Sequence, residues 1–101
     1  MQHVVAVLTA AIQNRRVIQI VYEPGPRIIE PHALGRSTDG NVLLRAYQVE
    51  GASSSGEHEH WKLFRIDKVQ CAEPTGGTFA GPREGYKRGD RHMKGGIIAE
   101  L

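Results

Sequence analysis

The chain has 101 residues, 40% of them hydrophobic and 24% charged, with a formal net charge of +2. That composition fits one globular domain with a thin core, so a partner chain is expected, a homodimer first. Nothing approaches the ~20 apolar residues of a membrane span, and Met1-Gln2-His3 lacks the basic start of a secretory leader. A lone cysteine, Cys71, cannot staple a single chain, which points to a reducing cytoplasm. The charge is uneven: between Pro82 and Lys94, Arg83, Lys87, Arg88, Arg91 and Lys94 stand against Glu84 and Asp90. A basic tail on a near-neutral body suits an anionic partner, or simply solubility.

Val4, Val5, Leu8, Ala11 and Ile12 recur at helical spacing, and Gln13-Asn14-Arg15-Arg16 closes the run. This predicts one amphipathic helix over about residues 3–15, with Arg15 and Arg16 at its C-terminal dipole. Val17 to Tyr22 is β-branched and aromatic, hence a strand, turned by Glu23-Pro24-Gly25-Pro26. Arg27 to Glu30 reads as a second strand, with Pro31 at its edge or end because it has no N–H for the ladder. Asp39-Gly40 is a hairpin signal, and Val42 to Val49 is the longest strand. Residues 51–56 form a small, polar, flexible loop. His60 to Ile66 gives a further strand and Lys68 to Ala72 a short last one. One helix followed by short strands about ten residues apart predicts a mainly β fold, a bent antiparallel barrel with the helix packed across it.

From Glu73 onward Gly and Pro are frequent, and Phe79, Tyr86, Met93, Ile97 and Ile98 are isolated. The chain thus divides into a barrel domain with its helix (1–72) and an extended basic arm (73–101). A free tail would lack such apolar residues, so the arm is expected to lie against the barrel or a neighbouring chain.

Strand alternation sorts the candidate ligand residues. Val42, Leu44 and Ala46 share a core face, while Leu43, Arg45, Tyr47 and Val49 share the other. Trp61, Leu63 and Arg65 lie together on the next strand. Arg45 and Arg65 are therefore expected to converge on an anion site, with Tyr47 or Trp61 as a stacking face and Arg27 or His32 at the rim. Ion pairing is the other role open to them, Arg45 with Glu30 or Glu50 and Arg65 with Asp67 or another acid. Lys87 and Arg88, in a stretch alternating basic groups with Tyr86, either track a nucleic-acid backbone or stay solvated while the arm docks. His58-Glu59-His60 lacks a third ligand, so neither a metal nor another cofactor is expected. Cys71 reads as a small buried hydrophobe. No base accompanies Ser53-Ser54-Ser55 and no acid–base pair appears, so no catalysis is expected.

From Ala11 to Gln70 the order of pieces resembles the WYL domain. A short helix leads into Ile20-Val21-Tyr22, then come Arg27-Ile28-Ile29-Glu30-Pro31-His32, Leu44-Arg45-Ala46-Tyr47, and Trp61-Lys62-Leu63-Phe64-Arg65-Ile66-Asp67-Lys68-Val69. Pro82 to Asp90 is also similar to tails of short proteins in this group. The family's naming tripeptide aligns with Val42-Leu43-Leu44, so its first two aromatic residues are absent. The resemblance implies an SH3-like or Sm-like barrel, with basic positions at Arg27, Arg45 and Arg65. It implies a sensor of nucleotides or single-stranded nucleic acid, in transcription regulation or phage defence, working with a larger regulatory protein. The helix-turn-helix such domains usually follow is missing from this chain. A protein–protein or oligomerisation adaptor without a nucleic-acid ligand is the alternative.

Overall fold

A computed structural model describes residues Met1–Leu101 as one helix followed by six strands. Helix α1 (Gln2–Asn14) buries Leu8, Ala11 and Ile12, the expected apolar stripe. No cation lies in its last turn. Arg15 instead ends it in the left-handed conformation (φ 53°, ψ 53°), its N–H bonded back to Ala11 and Ile12 carbonyls. The strands follow as β1 (Arg16–Tyr22), β2 (Gly25–Arg36), β3 (Val42–Gly51) and β4 (His60–Arg65). A single 3-10 turn (Ile66–Lys68) leads to β5 (Cys71–Thr78), and β6 (Gly96–Glu100) comes last.

Every strand pair is antiparallel, in the order β4-β3-β2-β1-β5, with β6 also on β2. The fold is mainly β with one N-terminal helix, as the pattern predicts. The barrel is not closed, because β4 and β5 remain unpaired ends of the sheet. Strand β2 changes partner midway: β1 follows it as far as Ile29, and β6 takes over at Ala33. Pro31 is therefore not at a strand end but inside a 12-residue strand. It falls in the gap between the two partners, where a missing N–H costs little. A bulge between Pro31 and Ala33 bends the strand there.

Two layers cover the two faces of this sheet. On the inner face thirteen buried residues pack together, among them Leu8, Ala11 and Ile12 of α1 with Ile18, Ile20, Ile29, Leu34, Leu44 and Phe64 of the sheet. Each such side chain removed from water contributes about 1.5–3 kcal/mol. The outer face, carrying Leu43, Arg45 and Tyr47, is covered by the C-terminal segment. The boundary expected at residue 72 cuts β5, which runs on to Thr78 beside β1. Past it the chain crosses β3 and β4, sinks Met93 (2% exposed) against Ala33 and Leu43, and returns as β6. Gly95 makes that return possible: its N–H donates to the Arg36 carbonyl at 2.8 Å, and a Cβ would lie 2.2 Å from the Ser37 carbonyl oxygen. The arm is thus a layer of the domain, packed on its own sheet. Cys71 is half-buried on β5, not in the core, because β5 is an end strand.

Candidate anion-binding cleft

The arm is fastened to the outer face at two neighbouring residues of β2. His32, fully buried, bonds through Nδ1 to the Glu30 carbonyl at 2.7 Å and accepts the Arg83 backbone N–H on Nε2 at 3.0 Å. Those two roles require the neutral ring with its proton on Nδ1. Burial holds the His32 pKa below the usual histidine value, partly countered by the Glu30 carbonyl and carboxylate, while the nearby Arg83 cation lowers it further. Phe79 stacks on the ring (5.5 Å, 19°), and Trp61 meets it edge-on at 4.7 Å. Beside it Arg83 clasps Glu30 with two hydrogen bonds, 2.8 and 3.2 Å, and lies 4.3 Å over the Tyr47 ring. This clasp, above all the hydrogen bond to Glu30, raises the Arg83 pKa.

Past the clasp, residues 85–91 stand off the sheet and enclose a cavity of about 420 Å³ with β3 and β4. Trp61 forms one wall, its indole N–H donating to the Glu84 carbonyl at 3.2 Å and its ring nearly parallel to Tyr86 (23°). Gly85 (φ +92°) lets the arm pass this close, since a Cβ there would sit 3.3 Å from the indole nitrogen. Four cations line the cavity, Arg45, Lys87, Arg88 and Arg91, against one carboxylate, Asp90. Arg45 donates Nε–H to Asp90 at 2.8 Å, and Asp90 also accepts the His92 N–H at 2.9 Å. Burial alone would raise the Asp90 pKa; the Arg45 hydrogen bond and the His92 N–H outweigh it and hold the carboxyl below its usual range. Arg88 reaches Glu100 at 3.2 Å from a position 72% exposed. Arg91 touches only the neighbouring His92, and Lys87 has neither an ion pair nor a hydrogen bond.

The residues expected to form one site are thus divided. Arg45, Trp61, Lys87 and Arg88 line the same cleft. Arg65 shares their sheet face but is spent on Asp67 (2.7 Å) and Asn41 (3.3 Å), outside the cavity. Tyr47 is covered by Arg83 and meets Trp61 edge-on, so its face is not free. His32 is not at a rim but buried behind the aromatic wall. Arg27 faces the inner layer, two residues before the core Ile29 on the same strand face: it is 4% exposed, lies 5.0 and 5.4 Å from the Tyr22 and Phe64 rings, and bonds to the Tyr22 and Glu23 carbonyls and to Gln48. Arg45 does form an ion pair, with Asp90 from the arm and not with Glu30 or Glu50. The expectation omits Arg91 and Asp90 from the site; their place in the basic, aromatic stretch 86–92 is the signal that marks them.

No helix of the chain is long and apolar enough to cross a membrane. Comparison with family models, curated proteins and solved structures gives no match.

Proposed function

We propose that this chain is a non-catalytic binding module for an anionic ligand carrying a flat ring, a nucleotide or one unit of single-stranded nucleic acid. One observation carries the reading: the partly exposed Trp61 ring and four cations line a single cleft of about 420 Å³. That is within the size range of small-molecule sites, ~300–1,000 Å³. Stacking on an aromatic face contributes about 1–3 kcal/mol per base. The cations supply attraction that weakens with salt. Transcription regulation or phage defence, the setting the WYL resemblance implies, is the context in which such a sensor would act on a larger regulator.

Trp61 is the only tryptophan and so reports on its own cleft. Titration with adenine nucleotides and with a short oligodeoxynucleotide should quench or shift its fluorescence saturably. Added salt should weaken the response, and Arg91→Glu should reduce it. Emission unmoved by every one of these compounds would end the reading.

Self-association is a second reading, favoured by β6. This strand has one partner, β2, and carries Ile97 and Ile98 at 40% and 37% exposed. A free edge with apolar side chains is a template for another strand. Light scattering across a dilution series checks it: a dimer mass that Ile97→Lys halves supports it, and a monomer throughout refutes it.

A further inference from the structure

We infer that the cleft selects a phosphate monoester over a phosphodiester, so that its ligand is a terminally phosphorylated nucleotide and not the interior of a strand. This rests on the binding reading above and sharpens it. The charges lining the cleft are not equivalent. Asp90 neutralises Arg45 while leaving the two terminal nitrogens of its guanidinium without protein hydrogen bonds. Glu100 neutralises Arg88. Lys87 and Arg91 remain, two cations without a carboxylate, within five residues on one bend of the arm.

Two uncompensated positive charges match the charge of a phosphate monoester, about −1.5 to −2 near neutral pH. A phosphodiester carries a single charge and leaves one of them unanswered. A strand also needs cations along its path, yet the other arginines on this face are consumed: Arg65 by Asp67 and Arg83 by Glu30. Arg45, held by Asp90 through Nε alone, presents its remaining fork to planar oxygens. Asp90 is therefore a positioning residue for Arg45.

Calorimetric titration of the full chain with adenosine, adenosine cyclic monophosphate, adenosine monophosphate and a single-stranded oligomer without a terminal phosphate separates the possibilities. The monophosphate should bind at least about tenfold tighter than the cyclic diester, the gain expected of one further charge-assisted contact. That preference should shrink as pH falls through the second phosphate ionisation, about 6. The cyclic diester, with no such ionisation, controls for titration of the protein itself. Lys87→Ala and Arg91→Ala should each lower affinity for the monophosphate and erase the preference, while leaving the melting temperature unchanged. Equal or tighter binding of the cyclic diester or the oligomer would overturn the monoester inference and leave the cleft a nucleotide site. Binding of none would overturn both.

Discussion

The two layers on the sheet are built differently. The inner one is a cluster of thirteen buried apolar residues gathered by α1. The outer one has a cluster of three, Ala33, Leu43 and Met93, with Phe79 buried apart from it on the His32 ring. Beyond the aromatic contacts of Phe79 and Tyr86 and the β6 ladder, its hold comes from directed side-chain bonds: Arg83 on Glu30, the Arg83 amide on His32, and Asp90 on Arg45. Burial is non-directional and tolerates small shifts. Hydrogen bonds and ion pairs at 2.8–3.2 Å do not. The inner layer therefore supplies stability, and the outer one supplies a defined geometry that opens first. A cleft walled by the outer layer exists only while that layer is docked.

The largest expected effect is on the inner side. Phe64, 1% exposed among Tyr22, Arg27 and the core, should cost about 3–5 kcal/mol as Phe64→Ala. Urea unfolding would show it as a lowered midpoint for the whole chain. Met93→Ala should cost less, about 2 kcal/mol, because its small cluster can collapse around the gap. Amide exchange should then quicken in residues 79–100 and stay slow in β1 and β3; uniform acceleration would break the distinction between the layers. Arg83→Ala should cost about 1 kcal/mol, since Arg83 is 38% exposed and screened while Glu30 is left largely buried without its cation. Denaturation at low and high salt checks it, the difference from wild type narrowing as salt rises.

The smallest effect is on pH. The folded His32 pKa lies below the unfolded value of about 6.5, so the unfolded chain binds more protons in between. Stability is then complete above about pH 6.5 and falls as the pH drops toward the folded pKa. Asp90, also lowered, acts in the same direction at more acid pH. The loss should appear first as weaker amide protection, relative to intrinsic exchange, in the arm, where a protonated Nε2 can no longer accept the Arg83 N–H. Protection of the arm, corrected for the intrinsic pH dependence of amide exchange, that stays constant between about pH 7.5 and 5.5 would contradict this.

The inner layer was legible because it obeys period. Val42, Leu44 and Ala46 alternate inward, and Val4, Val5, Leu8 and Ile12 recur as a helical stripe. The half of the site on the sheet was legible for the same reason, Arg45 and Trp61 falling on one outer face. Arg65 satisfied the pattern too, yet alternation says nothing about Asp67, which captures it. Along β2, alternation puts Arg27 inside with Ile29 and His32 on the outer face under the arm, and the bulge at Pro31–Ala33 then turns Ala33 outward and Leu34 inward. The arm has no period at all. Phe79, Tyr86 and Met93 each use a place already present on the sheet, beside His32, against Trp61 and above Leu43. Such docking is set by tertiary partners, so the segment reads as a tail.

A ¹⁵N-correlation NMR titration with adenosine monophosphate probes the cleft residue by residue. Saturable shifts should concentrate in residues 85–91, the Trp61 indole N–H and the Arg45 side chain, with α1 and β5 still. Shifts centred on α1 and β5, or none at all with the arm docked, would contradict this.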